Sequence, residues 1–346
     1  MLDLSLLHRR SRESGYTAVR GERGGIDLSA GQVIGLNAEE AFVLDAGLFS
    51  YQPPTGTAAL REAYGATLHG NKEIAASTIV TAGAKQALFL ALAFFGPRVQ
   101  RVFVPAPGWS PYVLLATALG FEPQGYDPCD PMALANLVRE APESLVILNY
   151  PHNPTGACLS AGHLDELVNA AQASGSQIIS DEVYRALVPN APSVAKYLST
   201  GLVTLVDSIS KWAGAAGLRI GFLVGSAELL EHSLSLIGVI NSGTCSIAQS
   251  WATHHLTRPQ MIEQAAKASG RSIVELERDL IRSGHSVVSS GAIYLWAKGG
   301  PTFRVDGHSV TGVPGDLFGQ QGFSRLCPTA SANPWNFLTK EQDTVQ

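Results

Sequence analysis

The chain has 346 residues, of which 45% are hydrophobic and 15% charged, and it carries a formal net charge of -5. These are globular proportions, which exclude a disordered chain; the charge balance and the lack of any Lys/Arg run exclude an electrostatic surface for nucleic acid. The length argues for one large domain or two closely packed ones.

No stretch approaches the ~20 consecutive apolar residues of a membrane helix, so no membrane span is expected. The longest apolar run, ALFLALAFFG, is too short. The opening MLDLSLLHRRSRE lacks a basic segment ahead of an apolar core, so no secretory leader is expected. The arginines of HRRSRESGYTAVRGER are mixed with acids and glycines and read as a surface lead-in, with a phosphate or substrate contact as the alternative. Cys129, Cys158, Cys245 and Cys327 are scattered and form no C-x-x-C or zinc spacing, which points to reduced thiols and a cytoplasmic protein. His254 and His255 are adjacent rather than three or four apart, so no metal site is expected.

In chain order, STIVTAG reads as a strand ending at Gly83, and AKQALFLALAFFG as the helix after it. RVFVPAP is the next strand, followed by helical SPYVLLATALG. SLVILNYP is a strand closed by a Pro-Asn-Pro turn, and AGHLDELVNAAQASG an amphipathic helix closed by Gly175. QIISDEVY, LVTLVDSIS and RIGFLVG are short strands without polar alternation, as expected when both faces are buried. Strand–helix alternation predicts an α/β fold with a mostly parallel sheet covered by helices, at residues 45–226. Beyond it, SAELLEHSLSLIGVI and the segments from SIAQSWATHHL to SIVELERDLIRSG read as helices, and SGAIYLWAKG and GFSRLCPT as strands. These predict a smaller α+β domain at 227–346, joined by residues 1–44. No internal repeat or low-complexity tract is present.

Ligands of open α/β sheets bind at the carboxyl ends of the strands. The polar residues that interrupt the apolar runs fall at those ends: Gly83 and Lys85, Trp109, Asn153, Asp181 and Tyr184, Ser208 and Lys211. Each has an ordinary reading and a sharper one. TAGAK is a tight turn, or a cradle of helix N-terminal N–H groups for an anion. Asp181 is a helix cap, or a carboxylate holding a proton on a heteroaromatic nitrogen. YPHNPTG is a structural turn, or it brings Asn153 to a phenolic oxygen. Trp109 is a core aromatic, or a stacking surface for a flat ring. Lys211 is a loop lysine, or an amine that apolar surroundings and a nearby cation keep neutral enough to form a Schiff base. Ser208 and Arg219 are the residue types that hold a phosphate. Taken together, these positions describe one ligand, pyridoxal 5'-phosphate.

DLSAGQ, YQPPTGTAALREAYG, TAGAKQALF, PAPGWSPY, NYPHNPTG, SDEVYR, SISKWAGAAGLRIGF, GAIYLWAKG and FSRL follow one another from about residue 28 to 326. In that order they resemble the class I/II aminotransferases, of the fold-type I pyridoxal-phosphate enzymes. The resemblance implies that Lys211 is the Schiff-base lysine and proton shuttle, that Asp181 pairs with the pyridinium nitrogen, and that Asn153 and Tyr184 hydrogen-bond the phenolic oxygen. It implies that Trp109 stacks on the ring and that Gly83, Ala84 and Lys85, through backbone N–H groups, hold the phosphate with Ser208 and Arg219. It implies that Tyr51 reaches the phosphate of a neighbouring subunit, hence a homodimer, that Arg325 grips the substrate α-carboxylate, and that Gly31 approaches the substrate. Asn153 and Trp109 also face the substrate in this reading.

The expected function is amino transfer between an L-amino acid and a 2-keto acid through Lys211. Two alternatives stand beside it. The same cofactor could serve a cyclase, an elimination or replacement enzyme, or a decarboxylase, because shared cofactor-binding motifs do not choose which substrate bond breaks. A regulatory binding module would place a basic recognition helix ahead of the large domain, and none is seen.

Overall fold

The computed structural model describes residues 26–29 and 46–330. Among them the strands are β1 (Ile26–Asp27), β2 (Thr78–Thr81), β3 (Arg101–Pro105), β4 (Glu122–Tyr126), β5 (Leu145–Asn149), β6 (Gln177–Asp181), β7 (Val203–Ser208), β8 (Gly221–Val224), β9 (Val287–Gly291), β10 (Tyr294–Lys298), β11 (Thr302–Val305), β12 (His308–Thr311), β13 (Val313–Pro314) and β14 (Phe323–Leu326). The helices are α1 (Ala58–His69), α2 (Ala84–Phe95), α3 (Pro111–Ala118), α4 (Pro131–Glu140), α5 (Ala161–Ser174), α6 (Ala227–Ile240), α7 (Ser246–Leu256) and α8 (Pro259–Arg282).

Seven strands form the large sheet, in the order β2-β8-β7-β6-β5-β3-β4. Every adjacent pair from β7 to β4 is parallel, whereas β8 runs antiparallel to both β7 and β2. The exception has a simple cause. Only the loop 209–220 joins β7 to β8, and a parallel return needs a crossover, usually through a helix, that this loop does not supply. Because β2 opposes β8, it runs the same way as β7, so its carboxyl end meets the edge where β3, β5, β6 and β7 also end.

Strand periodicity of two splits each strand between two cores. Val102, Val104, Leu145, Ile147, Ile179, Val206 and Leu223 pack with residues of α2, α3 and α6. Phe103, Val146, Leu148, Ile178, Leu205 and Phe222 face the other way, among residues of α1, α4, α5 and α7. These side chains are at most 2% exposed, so each contributes about 1.5–3 kcal/mol of burial. Ser160 caps α5 by accepting from the His163 N–H, and Gly175 ends it in the left-handed conformation.

Two small sheets, β13-β14-β10-β9 and β1-β12-β11, follow in sequence, apart from β1. Leu276 and Leu280 of α8 pack with Leu295, Phe303, Val310 and Leu326 beneath them. SGAIYLWAKG is therefore not one strand. It spans the end of β9 and the whole of β10, which pair antiparallel about a tight turn at Ala292, whose φ is +50°. An uninterrupted apolar spelling hid that reversal. EPQGY, which becomes β4, has no apolar run to announce it and is held by parallel pairing to β3 at the sheet edge.

Candidate active site

The expected strand-end residues converge on one cavity of about 280 Å³ at the carboxyl edge of the large sheet. Asp181 ends β6 and Ser208 ends β7. Asn153 reaches the cavity from the turn after β5, Trp109 from the loop after β3, and Ala84 and Lys85 from the first turn of α2. Tyr184, Lys211 and Arg219 come from the loops after β6 and β7, and Arg325 from β14 of a small sheet. Gly83 is the cap residue of α2 and lies under Arg219. Two further expectations remain. Gly31 lies outside the described residues. Tyr51 is 94% exposed and is not among the residues around this cavity.

Lys211 and Asp181 carry the main electrostatic features. Burial pulls the Lys211 amine down to about 8, with the positive charge of Arg325 acting the same way. Its Nζ lies 5.6 Å from the centroid of the Tyr184 ring. Burial pushes the Asp181 carboxyl up to about 6, against the pull of the Tyr112 hydroxyl, which donates to Oδ2 at 2.7 Å. The result is an amine that loses its proton readily and a buried carboxyl held in place by a donor.

One end of the cavity gathers hydrogen-bond donors and positive charge. The N-terminus of α2 brings backbone N–H groups and the positive end of its dipole. Arg219, in the left-handed conformation at φ 55°, donates from Nη1 to the Ala216 carbonyl at 2.8 Å. A methyl group on Gly83 would collide with the Arg219 guanidinium, and one on Gly221 would collide with the backbone of Gly83 and Ala84. The two glycines thus let β8, Arg219 and the start of α2 approach closely. The Ser208 hydroxyl donates to the Ile220 carbonyl at 2.9 Å and accepts from the Ser210 N–H at 3.0 Å.

The other end is built around Arg325, which is 3% exposed. Its Nη1 donates to Asn153 Oδ1 at 2.9 Å and its Nη2 to the Ser29 carbonyl at 2.8 Å. The Asn153 amide NH2 remains the donor side of that group. The Arg325 guanidinium carbon lies 4.6 Å from the Tyr294 ring centroid and 5.0 Å from that of Phe318.

Ser29, Tyr112, Val183, Ser210, Ala216 and Tyr294 also line the cavity and escaped the sequence reading; three of them carry hydroxyls that bear on the chemistry. Ser210 was legible as a second hydroxyl directly before Lys211. Tyr112 was visible as a phenol opening an otherwise apolar helix. Tyr294 stands inside GAIYLWAKG, but only the hairpin turn aims it at the cavity. Lys85 adds an amine as well as a backbone N–H, 5.2 Å above the Trp109 ring.

The family described as "Aminotransferase class I and II" matches residues 24–336. The chain belongs to the class I and II aminotransferases. It is an enzyme, a transferase. It is 29% identical over 311 residues to an aspartate/prephenate aminotransferase of Thermus thermophilus, a match that covers 81% of this chain and 79% of that one. It is 27% identical over 266 residues to a probable N-acetyl-LL-diaminopimelate aminotransferase of Bacillus subtilis, covering 73% and 67%. Among solved structures, an aromatic aminotransferase from Pyrococcus horikoshii superposes with a TM-score of 0.77 at 21% identity, covering 95% and 96% of the two chains. Thermus thermophilus aspartate aminotransferase with maleate gives 0.74 at 24% identity, covering 94% and 92%. These aminotransferases share the α/β fold described above.

Proposed function

We propose that the protein transfers an amino group between an L-amino acid and a 2-keto acid, using pyridoxal 5'-phosphate held at Lys211. Class I and II aminotransferases use this cofactor. The observation that carries the reading is that a readily neutralised amine, a buried carboxyl and an anion cradle face one cavity. The close approach allowed by Gly83 and Gly221 leaves the α2 N-terminus, Ser208, Ser210 and Arg219 as a donor set suited to a phosphate. The cofactor fits this donor set.

When bound, the cofactor supplies an aldehyde that takes up the amino group and a ring that draws electrons from the substrate Cα. Lys211 Nζ is assigned to attach the cofactor, and once released, to carry the proton from Cα. Asp181 would hold a proton at the ring nitrogen, and Tyr112 keeps its carboxyl oriented by donating to Oδ2. Tyr184 and the Asn153 amide would donate to the phenolic oxygen, and Trp109 would cover a ring face. Arg325 would take the α-carboxylate as a bidentate pair, displacing its present bonds to Asn153 and Ser29. The relatives named above differ in the side chains their names imply, so the amino group and α-carboxylate are the part of the substrate this reading commits to.

The same proposal divides the chain into a large domain at 45–226 and a smaller one made of 1–44 with 227–346, although α6 and α7, in the second range, pack on the large sheet. It also holds that two copies pair, with Tyr51 of each reaching the other's phosphate; its exposure leaves it available for that. Among the described residues no helix is long and apolar enough to cross a membrane. The four free cysteines support a cytoplasmic location.

The test is a donor screen on the loaded protein. An amino acid offered without a keto acid should convert the bound cofactor to its amine form, and a keto acid should restore the aldehyde. Product formed with the aldehyde retained throughout would overturn amino transfer in favour of another reaction of the same cofactor.

A further inference from the structure

Tyr184 and Tyr294 approach from different parts of the fold. Tyr184 follows the end of β6 in the large sheet, and Tyr294 opens β10 in a small one. Their hydroxyl oxygens are 2.9 Å apart, and their rings meet edge to face at 5.2 Å and 72°. Both side chains are buried, at 5% and 1% exposure. A phenol has one proton to donate. Tyr184 can direct its proton at a ligand oxygen in the cavity only if it acts as acceptor toward Tyr294. Donation from Tyr294 to Tyr184 lets both protons be used once an acceptor oxygen occupies the cavity, whereas the reverse polarity leaves the Tyr184 proton unavailable to it.

We propose that Tyr294 is a positioning residue: its hydroxyl donates to the Tyr184 oxygen and so commits the Tyr184 proton to the cofactor's phenolic oxygen. The inference rests on the pyridoxal-phosphate reading. Chained hydrogen bonds polarise one another, so the donation from Tyr294 makes Tyr184 the stronger donor. A stronger donor stabilises the anionic phenolic oxygen and lowers the pH at which the bound cofactor changes colour. Losing the Tyr294 hydroxyl removes that polarisation, weakens Tyr184 as a donor and raises that midpoint.

The experiment is a visible-absorbance pH titration of the cofactor-loaded protein. Tyr294→Phe keeps the ring beneath Arg325. It should raise the midpoint by about half to one pH unit and lower kcat, with KM for the amino donor changed by less than about twofold, because uniform binding is retained. Added to Tyr184→Phe, it should produce no further shift, since the coupling is then already lost. An unchanged midpoint in Tyr294→Phe, even with a lowered Tm, overturns the proposal, as does an equal shift in both backgrounds. If Tyr294→Phe does not fold, the double variant, in which neither buried hydroxyl is left alone, is compared with Tyr184→Phe. Coincident midpoints support the proposal and a further shift overturns it. A wild-type protein with no visible band that borohydride fixes at Lys211 overturns the cofactor reading itself and this inference with it. That outcome is distinct from a wild type that titrates alongside an identical variant.

Discussion

Lys211 takes its chemistry from its surroundings. Burial lowers its proton affinity to about 8, so near neutral pH a useful fraction is the free amine. Lys211→Ala should abolish borohydride-fixed cofactor and lower turnover by at least about a thousandfold while the far-ultraviolet spectrum stays native. The same shift has a stability consequence. Between pH 8 and the ordinary 10.5, the unfolded chain binds a proton here that the folded one does not. Stability from this group is therefore gained as pH rises through that window and is missing below it. Without cofactor, Lys211→Ala should consequently have a higher Tm than wild type at pH 7.

Asp207 has the opposite sign. Its Oδ1 accepts from the Ser208 N–H at 2.6 Å, and the Tyr64 hydroxyl lies 3.3 Å from Oδ2. Burial pushes its carboxyl up to about 8, against the nearby charge of Arg185. The folded state then holds a proton that the unfolded state has lost between about pH 4 and 8. The stability this group contributes is complete below pH 4 and lost as pH rises to 8. Asp207→Asn, which keeps the shape without the charge, should flatten the decline in urea midpoint between pH 6 and 9. A variant that declines as steeply as wild type would show that another group carries the effect.

At the scale of elements, the decisive contact is β8 against the start of α2. Gly221 belongs to a strand and Gly83 to a helix cap, and neither tolerates a methyl group. At Gly221 the obstruction is backbone, which cannot rotate away. Gly221→Ala should cost about 1–3 kcal/mol in urea denaturation and weaken pyridoxal-phosphate binding by at least about tenfold, read by absorbance titration. A second close approach joins the turn bearing Asn153 to the β9–β10 hairpin bearing Tyr294. Gly156, at φ +73°, lies against Ser290 and Gly291, and the Ser289 hydroxyl donates to the Thr155 carbonyl at 2.7 Å. This junction sets how the small sheet presents Arg325 and Tyr294 to the large one.

For the whole molecule, the proposed pairing bears on side chains that are apolar and exposed. Phe49 is 74% exposed, Tyr51 94%, Val239 87% and Ile240 57%. Phe49 and Tyr51 line one surface hollow with residues 241–246, directly after Ile240. The proposed pairing would take these side chains out of water. Sedimentation should give twice the chain mass, and Tyr51→Phe should weaken cofactor binding several-fold without dissociating the pair. A protein that sediments as a monomer yet binds cofactor fully would remove Tyr51 from the site.

Much of this was readable in order along the chain. Apolar runs ending in a polar residue located Asp181 and Ser208, because a strand buried on both faces admits polarity only where it leaves the sheet. Lys211 and Arg219 stood out for the same reason, as charges in a stretch of small and apolar residues. The motif order was enough to name the family. What the chain spelling could not supply was direction and distance. β8 runs against its neighbours because its connection is too short to cross over, and that reversal brings Arg219 over Gly83. The turn at Ala292 converts one apolar run into two strands and aims Tyr294 at Tyr184. Tyr112 meets Asp181 from 69 residues away, and Arg325 meets Asn153 from 172. Local propensity and burial act over a few residues and were legible in sequence. Pairings over such separations are chosen only when the sheets and helices close on one another, so the tertiary structure alone decided them.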